Sequence, residues 1–363
     1  MSDNPKEAEE KMAKAIFISA DCWLCVFDLL PPRQLGLGIA MISHRFDFYV
    51  SEHFKTRKRT LGFIRIWNKI GENGTKKMKI VNGKWKRLPI PQIQMPRKVI
   101  GFLYIDITFI DQNVIAFLHR FRPLFASLCH INLSILSNSD RSSEFIFRNI
   151  WPMLGKNIHG IDMSATFFHH LRQIVPSILN EYPSVRFVIF YAGDLFTEFP
   201  ADDSAAASDG QSVAKWLFTP FHNDVPKVLK CSLDKADAIL ALKIEAFKAA
   251  FASASSLVNF IVVFWFRSSS FPISVVPFVM TNELTREQLA LKKIDKSEYC
   301  HLLMIRCPIA RDESKWTKWE EEAIGFRIDD QCNQIDIEIY SDDDIGDGLL
   351  DATPGTSDQQ QQK

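Results

Sequence analysis

The chain has 363 residues, of which 47% are hydrophobic and 12% aromatic, so it can fill a sizeable core and is too apolar to be disordered throughout. Its 43 basic and 43 acidic side chains cancel, which excludes a strong overall field toward nucleic acid or membrane. These numbers indicate a globular protein of two or three domains.

The first fourteen residues, MSDNPKEAEEKMAK, lack the basic start and apolar run of a secretory signal. The longest apolar stretch, residues 257–266, has ten residues, whereas a helix needs ~20 to cross a bilayer, so we expect no membrane partner. Seven cysteines, an odd number, are typical of reduced thiols and not of a disulfide framework. We therefore expect a cytoplasmic or nuclear protein.

Residues 17–30, FISADCWLCVFDLL, form the first notable pattern. At helical spacing they give one apolar stripe, made of Trp23, Val26, Phe27 and Leu30. A second stripe on the neighbouring face consists of Cys22, Cys25 and Leu29. A helix that is apolar nearly all round must be buried on nearly all sides. Because its own short segment can cover only one face, we expect a partner to cover the other.

Cys22 and Cys25 also have the CxxC spacing of redox and zinc sites. A redox pair requires an exposed cysteine at a helix N-terminus, and the nearby acids raise a thiol pKa. Zinc requires two further ligands at short spacing, which the sequence does not supply. We therefore interpret both cysteines as core or interface thiols and predict no metal.

Residues 18–54 resemble an F-box: an apolar first helix, a turn at Pro31 and Pro32, Leu35 opening a second helix, and the element formed by residues 42–46, ISHRF. Residues 302–324 are similar to segments of the large nematode F-box families. The resemblance implies a three-helix module that docks on the Skp-type adaptor of a cullin-RING (SCF-type) ubiquitin ligase. It also implies that Ser19 caps the first helix. The implied adaptor-binding residues are Ile18, Trp23, Val26, Phe27, Leu30, Pro32, Leu35, Ile42, Ser43 and Phe46.

A basic block follows, with fourteen Lys or Arg and one acid between positions 55 and 98. Within it, Asn82 and Gly83 predict a hairpin turn between short β-like flanks. Trp67 and Trp85 are interleaved with the bases, so the block could bind nucleic acid. The solvated face of a hairpin sheet is the more common role for such a run, and we treat a nucleic-acid partner as the minor hypothesis.

An apolar pattern of the form φ-x-x-φ-x-φ recurs six times between residues 99 and 265, at steps of 28, 30, 27, 43 and 29 residues. Helical patterns separate the copies, at residues 114–125, 171–179 and 239–251. A strand and a helix repeating every ~28 residues resemble a degenerate leucine-rich-repeat solenoid. An ordinary parallel α/β sheet remains the alternative. The copies are Ile100, Leu103, Ile105; Leu128, Ile131, Leu133; Ile158, Ile161, Met163; Val185, Val188, Phe190; Val228, Cys231, Leu233; and Leu257, Phe260, Val262.

The predicted fold is therefore α+β overall, in five regions. These are a disordered N-terminus (1–15), an F-box-like helical domain (16–58), a basic hairpin or linker region (59–98), an α/β repeat domain that binds the substrate (99–340), and a disordered acidic and Gln-rich tail (341–363). Residues 201–210, ADDSAAASDG, account for the one long step and are interpreted as an unstructured loop insertion.

No phosphate loop, nucleophile elbow, HExxH or dinucleotide motif is present in the sequence, so we predict no catalytic residues and no cofactor. A pocket lined by two groups with shifted pKa values would revive an enzymatic interpretation. The favoured function is a substrate-recognition subunit of an SCF-type ubiquitin ligase that binds an unidentified target protein. The alternative is an α/β interaction scaffold without attachment to a ligase.

Overall fold

The computed structural model describes most of the chain, in two compact units that divide between Arg59 and Thr60. The described residues are 18–28, 30, 39, 42–56, 59–67, 76–81, 84–88, 99–128, 130–137, 139–190, 195–232, 237–267, 275–296, 299–328, 331, 333–346 and 348–350. Within these ranges no helix is long and apolar enough to cross a membrane.

The N-terminal unit contains helices α1 (Ala20–Asp28) and α2 (His44–Thr56). The Ser19 hydroxyl accepts a hydrogen bond of 3.3 Å from the amide of Cys22, as the predicted N-cap of α1. Ser43 caps α2 in the same way, accepting from the amide of Phe46 at 3.3 Å. The predicted turn at Pro32 and the helix opened by Leu35 fall outside the described residues.

The second unit is built on one mixed sheet of thirteen strands, in the order β10-β11-β12-β9-β8-β7-β6-β5-β13-β4-β1-β2-β3. In chain order the strands are β1 (Arg59–Trp67), β2 (Lys76–Val81), β3 (Lys84–Leu88), β4 (Val99–Ile107), β5 (Ile131–Ser137), β6 (Ile158–Met163), β7 (Phe187–Phe190), β8 (Lys227–Ser232), β9 (Phe260–Arg267), β10 (Phe278–Asn282), β11 (Glu287–Lys296), β12 (Tyr299–Pro308) and β13 (Gln334–Ile339).

The centre of this sheet is parallel and both of its edges are antiparallel. Strands β4, β13 and β5 to β9 pair in parallel, and β10 to β12 join β9 as an antiparallel extension. Strands β5 to β9 lie side by side in chain order, because each connecting helix returns the chain to the next position. The molecule is therefore a mixed α+β protein with a large, mostly parallel sheet.

The six copies of the apolar pattern fall on, or directly before, strands β4 to β9, except that Leu233 of the fifth copy lies outside the described residues. Two details of the repeat interpretation are wrong. Strand β13 lies between β4 and β5, so the first two copies are not neighbours. Leu103 and Leu257 are exposed and not in the core; Leu257 precedes its strand instead of lying in it.

Helices cover one face of the sheet, which we call the first face. Their apolar side chains, such as Phe117, Phe167, Trp216 and Phe247, share one core with the strand residues of this face. The predicted helical patterns correspond to α3, to α6 with α7, and to α9. The helices are α3 (Gln112–Ser127), α4 (Asp140–Phe145), a π-helical turn (Ile146–Ile150), α5 (Trp151–Leu154), α6 (Ala165–Ile174), α7 (Ile178–Glu181), α8 (Asp209–Leu217), α9 (Asp237–Ala252) and α10 (Glu313–Gly325), with 3-10 turns at His222–Asp224 and Asp342–Asp344.

Helix α10 packs on the opposite, second face of the sheet. Its Trp316 and Ala323 form a separate core with strand residues that include Phe187 and Ile305. The Glu322 carboxylate accepts two hydrogen bonds from Arg186, which directly precedes β7, at 2.9 and 2.8 Å. The Lys230 ammonium donates to the carbonyl oxygens of Ile324 and Phe326 at the end of the helix. These contacts fix α10 over β7 to β9 and β12.

The basic region is part of this sheet and not a separate linker. Strand β2 pairs antiparallel with both β1 and β3, and the residue pair Val81 and Lys84 closes the predicted hairpin on either side of Asn82 and Gly83. Strand β1 lies beside β4, and the amide of Thr108 donates to the carbonyl of Ile66. A fragment beginning at residue 99 would therefore lose three strands of the sheet.

Residues 201–210, predicted to be unstructured, form an ordered loop. The buried guanidinium of Arg172 donates to the carbonyl oxygens of Ser204 and Ala207, at 3.1 and 2.9 Å, and to Asp209 at 2.8 Å. Ser208 then starts α8 through a capping box with Gln211. The loop is ordered because a buried cation requires these oxygens.

The tail from residue 341 is predicted to be disordered, but its first residues make contacts with other parts of the second unit. Asp342 accepts hydrogen bonds from Ser139 and Ser142 at the start of α4, at 2.5 and 2.7 Å. Ile345 forms a β-bridge with Ile110 and is buried. The folded part of the chain therefore extends at least to residue 350, and residues 351–363 lie outside the described residues.

Candidate partner-binding surface

The N-terminal unit divides the predicted adaptor-binding residues into two groups. One group packs inside the unit: Phe27 is buried with Val50, and Trp23, Leu30 and Phe46 pack against them. Trp23 lies between two other rings, with centroid distances of 4.8 Å to Phe46 and 6.2 Å to Phe27. These side chains hold α1 against α2, so they support a surface and do not themselves form it.

The second group is exposed to solvent. Ile18, Val26 and Ile42 have 38%, 42% and 63% of their surface accessible, which is high for branched aliphatic side chains. On α1 the exposed positions also include Cys22 and Cys25. Positions 22, 25 and 26 share one face of α1, since they are spaced by i, i+3 and i+4, and Ile18 directly precedes Ser19, the N-cap of this helix. This exposed apolar row is the candidate binding surface.

Of the two interpretations of Cys22 and Cys25, as core or as interface thiols, the core interpretation is wrong, and the interface interpretation stays a prediction. Both are exposed, and Cys22 accepts a 3.2 Å hydrogen bond from the Ser19 hydroxyl. The sequence stripe of Trp23, Val26, Phe27 and Leu30 is also split, because Val26 points outward. The physical reason is that α2 offers one aromatic face, which Trp23, Leu24, Phe27 and Leu30 reach and Val26 does not.

Phe48 is an exposed aromatic that the sequence analysis did not single out. It lies on α2 with 60% of its surface accessible, next to Tyr49, whose hydroxyl accepts a 3.0 Å hydrogen bond from Arg45. The sequence signal is that Phe48 lies four residues after His44 and four before Glu52, so it is an apolar residue on a helix face that is otherwise polar.

The second unit carries a different feature, a row of polar side chains on the second face of the sheet. Asp106 on β4 pairs in register with Asp336 on β13, which pairs with Ser134 on β5, and Ser134 with Asp162 on β6. All three aspartates are buried. The sequence signal that reveals them is an aspartate between two apolar residues inside a strand, which occurs as Ile-Asp-Ile, Ile-Asp-Met and Ile-Asp-Ile.

Neighbouring side chains set the protonation of this row. Burial raises the pKa of Asp336 to about 6, although the Tyr104 hydroxyl donates a 2.8 Å hydrogen bond to it, which acts in the opposite direction. Burial also raises the pKa of Asp106, opposed by its ion pair with Arg65. Burial and the nearby Asp336 carboxylate raise the pKa of the Tyr104 phenol. Asp336 can therefore gain or lose a proton just below neutral pH.

An enzymatic interpretation of the chain depends on a pocket lined by two groups with shifted pKa values. Two cavities of the second unit, of about 190 and 250 Å³, are lined by other residues, around Asp342 and around His169 and Arg172. Across the described ranges no three His, Cys, Asp or Glu side chains are grouped so that they could hold a metal ion. The row is best described as a buried, hydrogen-bonded part of the sheet.

Comparison with models of known protein families, with curated proteins and with solved structures finds no significant match to this chain. Functional inference therefore depends on the residues themselves. The feature most suited to binding another protein is the exposed apolar row of the N-terminal helical unit.

Proposed function

We propose that this protein is the substrate-recognition subunit of an SCF-type cullin-RING ubiquitin ligase. The N-terminal helical unit binds a Skp-type adaptor, and the second unit binds the target protein. The ligase role is one of positioning: the subunit makes no covalent bond itself, but raises the effective concentration of the target near the ubiquitin-charged enzyme. The chain then needs no catalytic residue of its own.

The observation that carries this proposal is the exposure of Ile18, Val26 and Ile42 on a unit whose sequence resembles an F-box. Isolated exposed apolar residues are common on protein surfaces, but several of them on one small helical unit are typical of a binding face. The aromatic contacts of Trp23 with Phe27 and Phe46 lie on the opposite, inner side of α1 and hold the helix in position. A surface that is already in place loses little conformational entropy when a partner binds, which favours binding.

For the second unit we propose that strands β5 to β9 and their helices act as a repeat-like array, as in leucine-rich-repeat proteins. The support is that each of these strands lies beside the preceding one. Arrays of this kind bind partners along an extended edge or along the loops. This unit accordingly holds the target protein.

Co-purification of the full-length protein with a Skp-type adaptor and a cullin tests the proposal. Val26→Asp and Ile42→Asp should abolish adaptor co-purification, because each places a charge in an interface that excludes water. The matched control is Leu242→Asp, which changes an exposed leucine on α9 of the second unit. Leu30→Asp is unsuitable, since Leu30 packs against the internal core and its change would unfold the unit.

A protein that brings down other partners but neither adaptor nor cullin would support the alternative, an α/β interaction scaffold without attachment to a ligase. The same conclusion would follow if folded Val26→Asp and Ile42→Asp variants retained the adaptor as well as the unchanged protein does. Salt-dependent retention on a DNA resin would favour the nucleic-acid hypothesis for the basic block instead.

A further inference from the structure

The two outermost strands of the sheet, β3 and β10, differ in the charge of their sequences. In the part of the chain that the structure describes, each has one strand neighbour. The sequence of β3, KWKRL, has three bases among five residues, and charged side chains on an edge strand discourage pairing with another chain. The sequence of β10, FVMTN, has no charged residue.

The surroundings of β10 are apolar as well. Val279 on the strand has 67% of its surface accessible, and Val276 and Leu284, which flank it, have 72% and 76%. Val279 pairs with Ala290, which pairs with Ile305 on the second face, so Val279 is the outer end of an apolar row across β10 to β12. A further strand added beside β10 would cover the exposed side chain of Val279.

The edge is held rigidly in place. The Asn282 side-chain amide donates to the carbonyl oxygens of Phe251 and Ala254 at the end of α9, at 2.8 and 3.0 Å. The Lys248 ammonium lies 4.3 Å from the centre of the Phe278 ring. All five residues of β10 are in register with β11. An edge that is already ordered loses little conformational entropy when another strand pairs with it.

From these observations we infer that β10 is a self-association edge, where a second copy of this chain pairs its own β10 in antiparallel orientation. Two identical five-residue strands overlap fully when Met280 faces Met280, which places Val279 opposite Thr281 and Phe278 opposite Asn282. No like charges meet in this arrangement, because the strand carries none. It also brings Val276 of one copy toward Leu284 of the other. Such isologous pairing closes after two copies.

Sedimentation of the full-length protein over a range of concentrations tests this inference. The unchanged protein should approach twice the monomer mass and stop there. Val279→Lys should weaken the dimer at least tenfold, because the two-fold axis brings two new charges together. Leu242→Lys, a comparably exposed position on α9 and outside β10, should dimerise like the unchanged protein.

A cross-linking experiment tests the register independently of any loss of stability. In a background where Cys22 and Cys25 are alanine, Val279→Cys combined with Thr281→Cys should give a disulfide-linked dimer on mild oxidation, since directly opposed Cβ atoms lie about 5 Å apart. A monomer at every concentration, or a dimer that persists in Val279→Lys, would overturn the inference. A mass that keeps rising beyond the dimer would show a contact that does not close after two copies, and would also refute the inference.

Discussion

The indole of Trp23 on α1 meets the ring of Phe46 on α2 edge-on, at a centroid distance of 4.8 Å and an interplanar angle of 86°. Edge-to-face pairs of this kind add to the stability that apolar burial provides. With Phe27 and Val50 they make a small internal core for the N-terminal unit. The outward side of α1 is thereby free for a partner.

The first prediction contrasts neighbouring residues on α1. Phe27→Ala removes a fully buried ring and should destabilise the unit by about 3 to 5 kcal/mol, enough to unfold so small a core. Val26→Ala changes an exposed side chain and should cost less than about 0.5 kcal/mol. Hydrogen–deuterium exchange of peptides from α1 and α2 in the full-length protein measures both. Equal exchange in the two variants would contradict the assignment of inner and outer faces.

The positions of Phe27 and Val26 also show where sequence reasoning stops. Helical spacing places both on one stripe, but only contact with α2 decides which of them is buried. Regular spacing located strands β4 to β9 in the same way, since a local pattern determines a local element. It could not place β13, because that strand comes from far along the chain and pairs between β4 and β5. Long-range partners leave no periodic signal.

A second prediction concerns the thiols. Cys22 and Cys25 are exposed, whereas Cys231 and Cys307 are buried. Burial raises the pKa of Cys231 to about 12 and also raises that of Cys307, which suppresses the reactive thiolate. A maleimide should therefore label Cys22 and Cys25 in the native protein, and Cys231 and Cys307 only after unfolding. Site-resolved mass spectrometry measures the labelling.

If the exposed row binds the adaptor, maleimide labelling should also block adaptor co-purification. The Cys22→Ala, Cys25→Ala double variant is the control, because it should bind the adaptor before and after maleimide treatment. Rapid labelling of Cys231 in the native protein would contradict the burial on which this prediction depends.

The third prediction tests the contact that orders residues 201–210. Arg172→Ala leaves the carbonyl oxygens of Ser204 and Ala207 without the donor they have in the folded protein, while Asp209 keeps its 2.9 Å contact with His169. We expect a loss of about 3 to 5 kcal/mol, as for other broken buried charge pairs, and faster proteolysis within the loop. Urea unfolding measures the loss.

Arg148→Ala is the matched control, because Arg148 pairs with Glu144 at the surface and such pairs contribute less than about 1 kcal/mol. Similar losses in the two variants would show that the loop does not depend on Arg172. This loop was misjudged from sequence because small polar residues are typical of unstructured segments, and the arginine that orders it lies about 30 residues earlier in the chain.

The fourth prediction follows from the protonation of Asp336. Burial raises its pKa to about 6, whereas an unfolded chain has an aspartate pKa of about 3.9. Between these values the folded protein binds a proton that the unfolded chain has released, so this group makes stability fall as the pH rises from 4 to 6. The full difference of about two pKa units corresponds to a change of about 3 kcal/mol in the free energy of unfolding.

Asp336→Asn should remove this contribution, because the amide resembles the protonated acid and keeps an oxygen that can accept from the Tyr104 hydroxyl. The variant should therefore gain stability relative to the unchanged protein as the pH rises from 4 to 7. Asp312→Asn provides a control that should be nearly flat over this range: hydrogen bonds from Ser314 and from the amide of Lys315 lower the pKa of Asp312, so Asp312 is ionised in both the folded and the unfolded chain above about pH 4, and its contribution to stability is lost only at lower pH. Urea midpoints measured at pH 4, 5, 6 and 7 give both slopes. A stability difference between Asp336→Asn and the unchanged protein that stays constant over this range would show that Asp336 is ionised in the folded protein throughout.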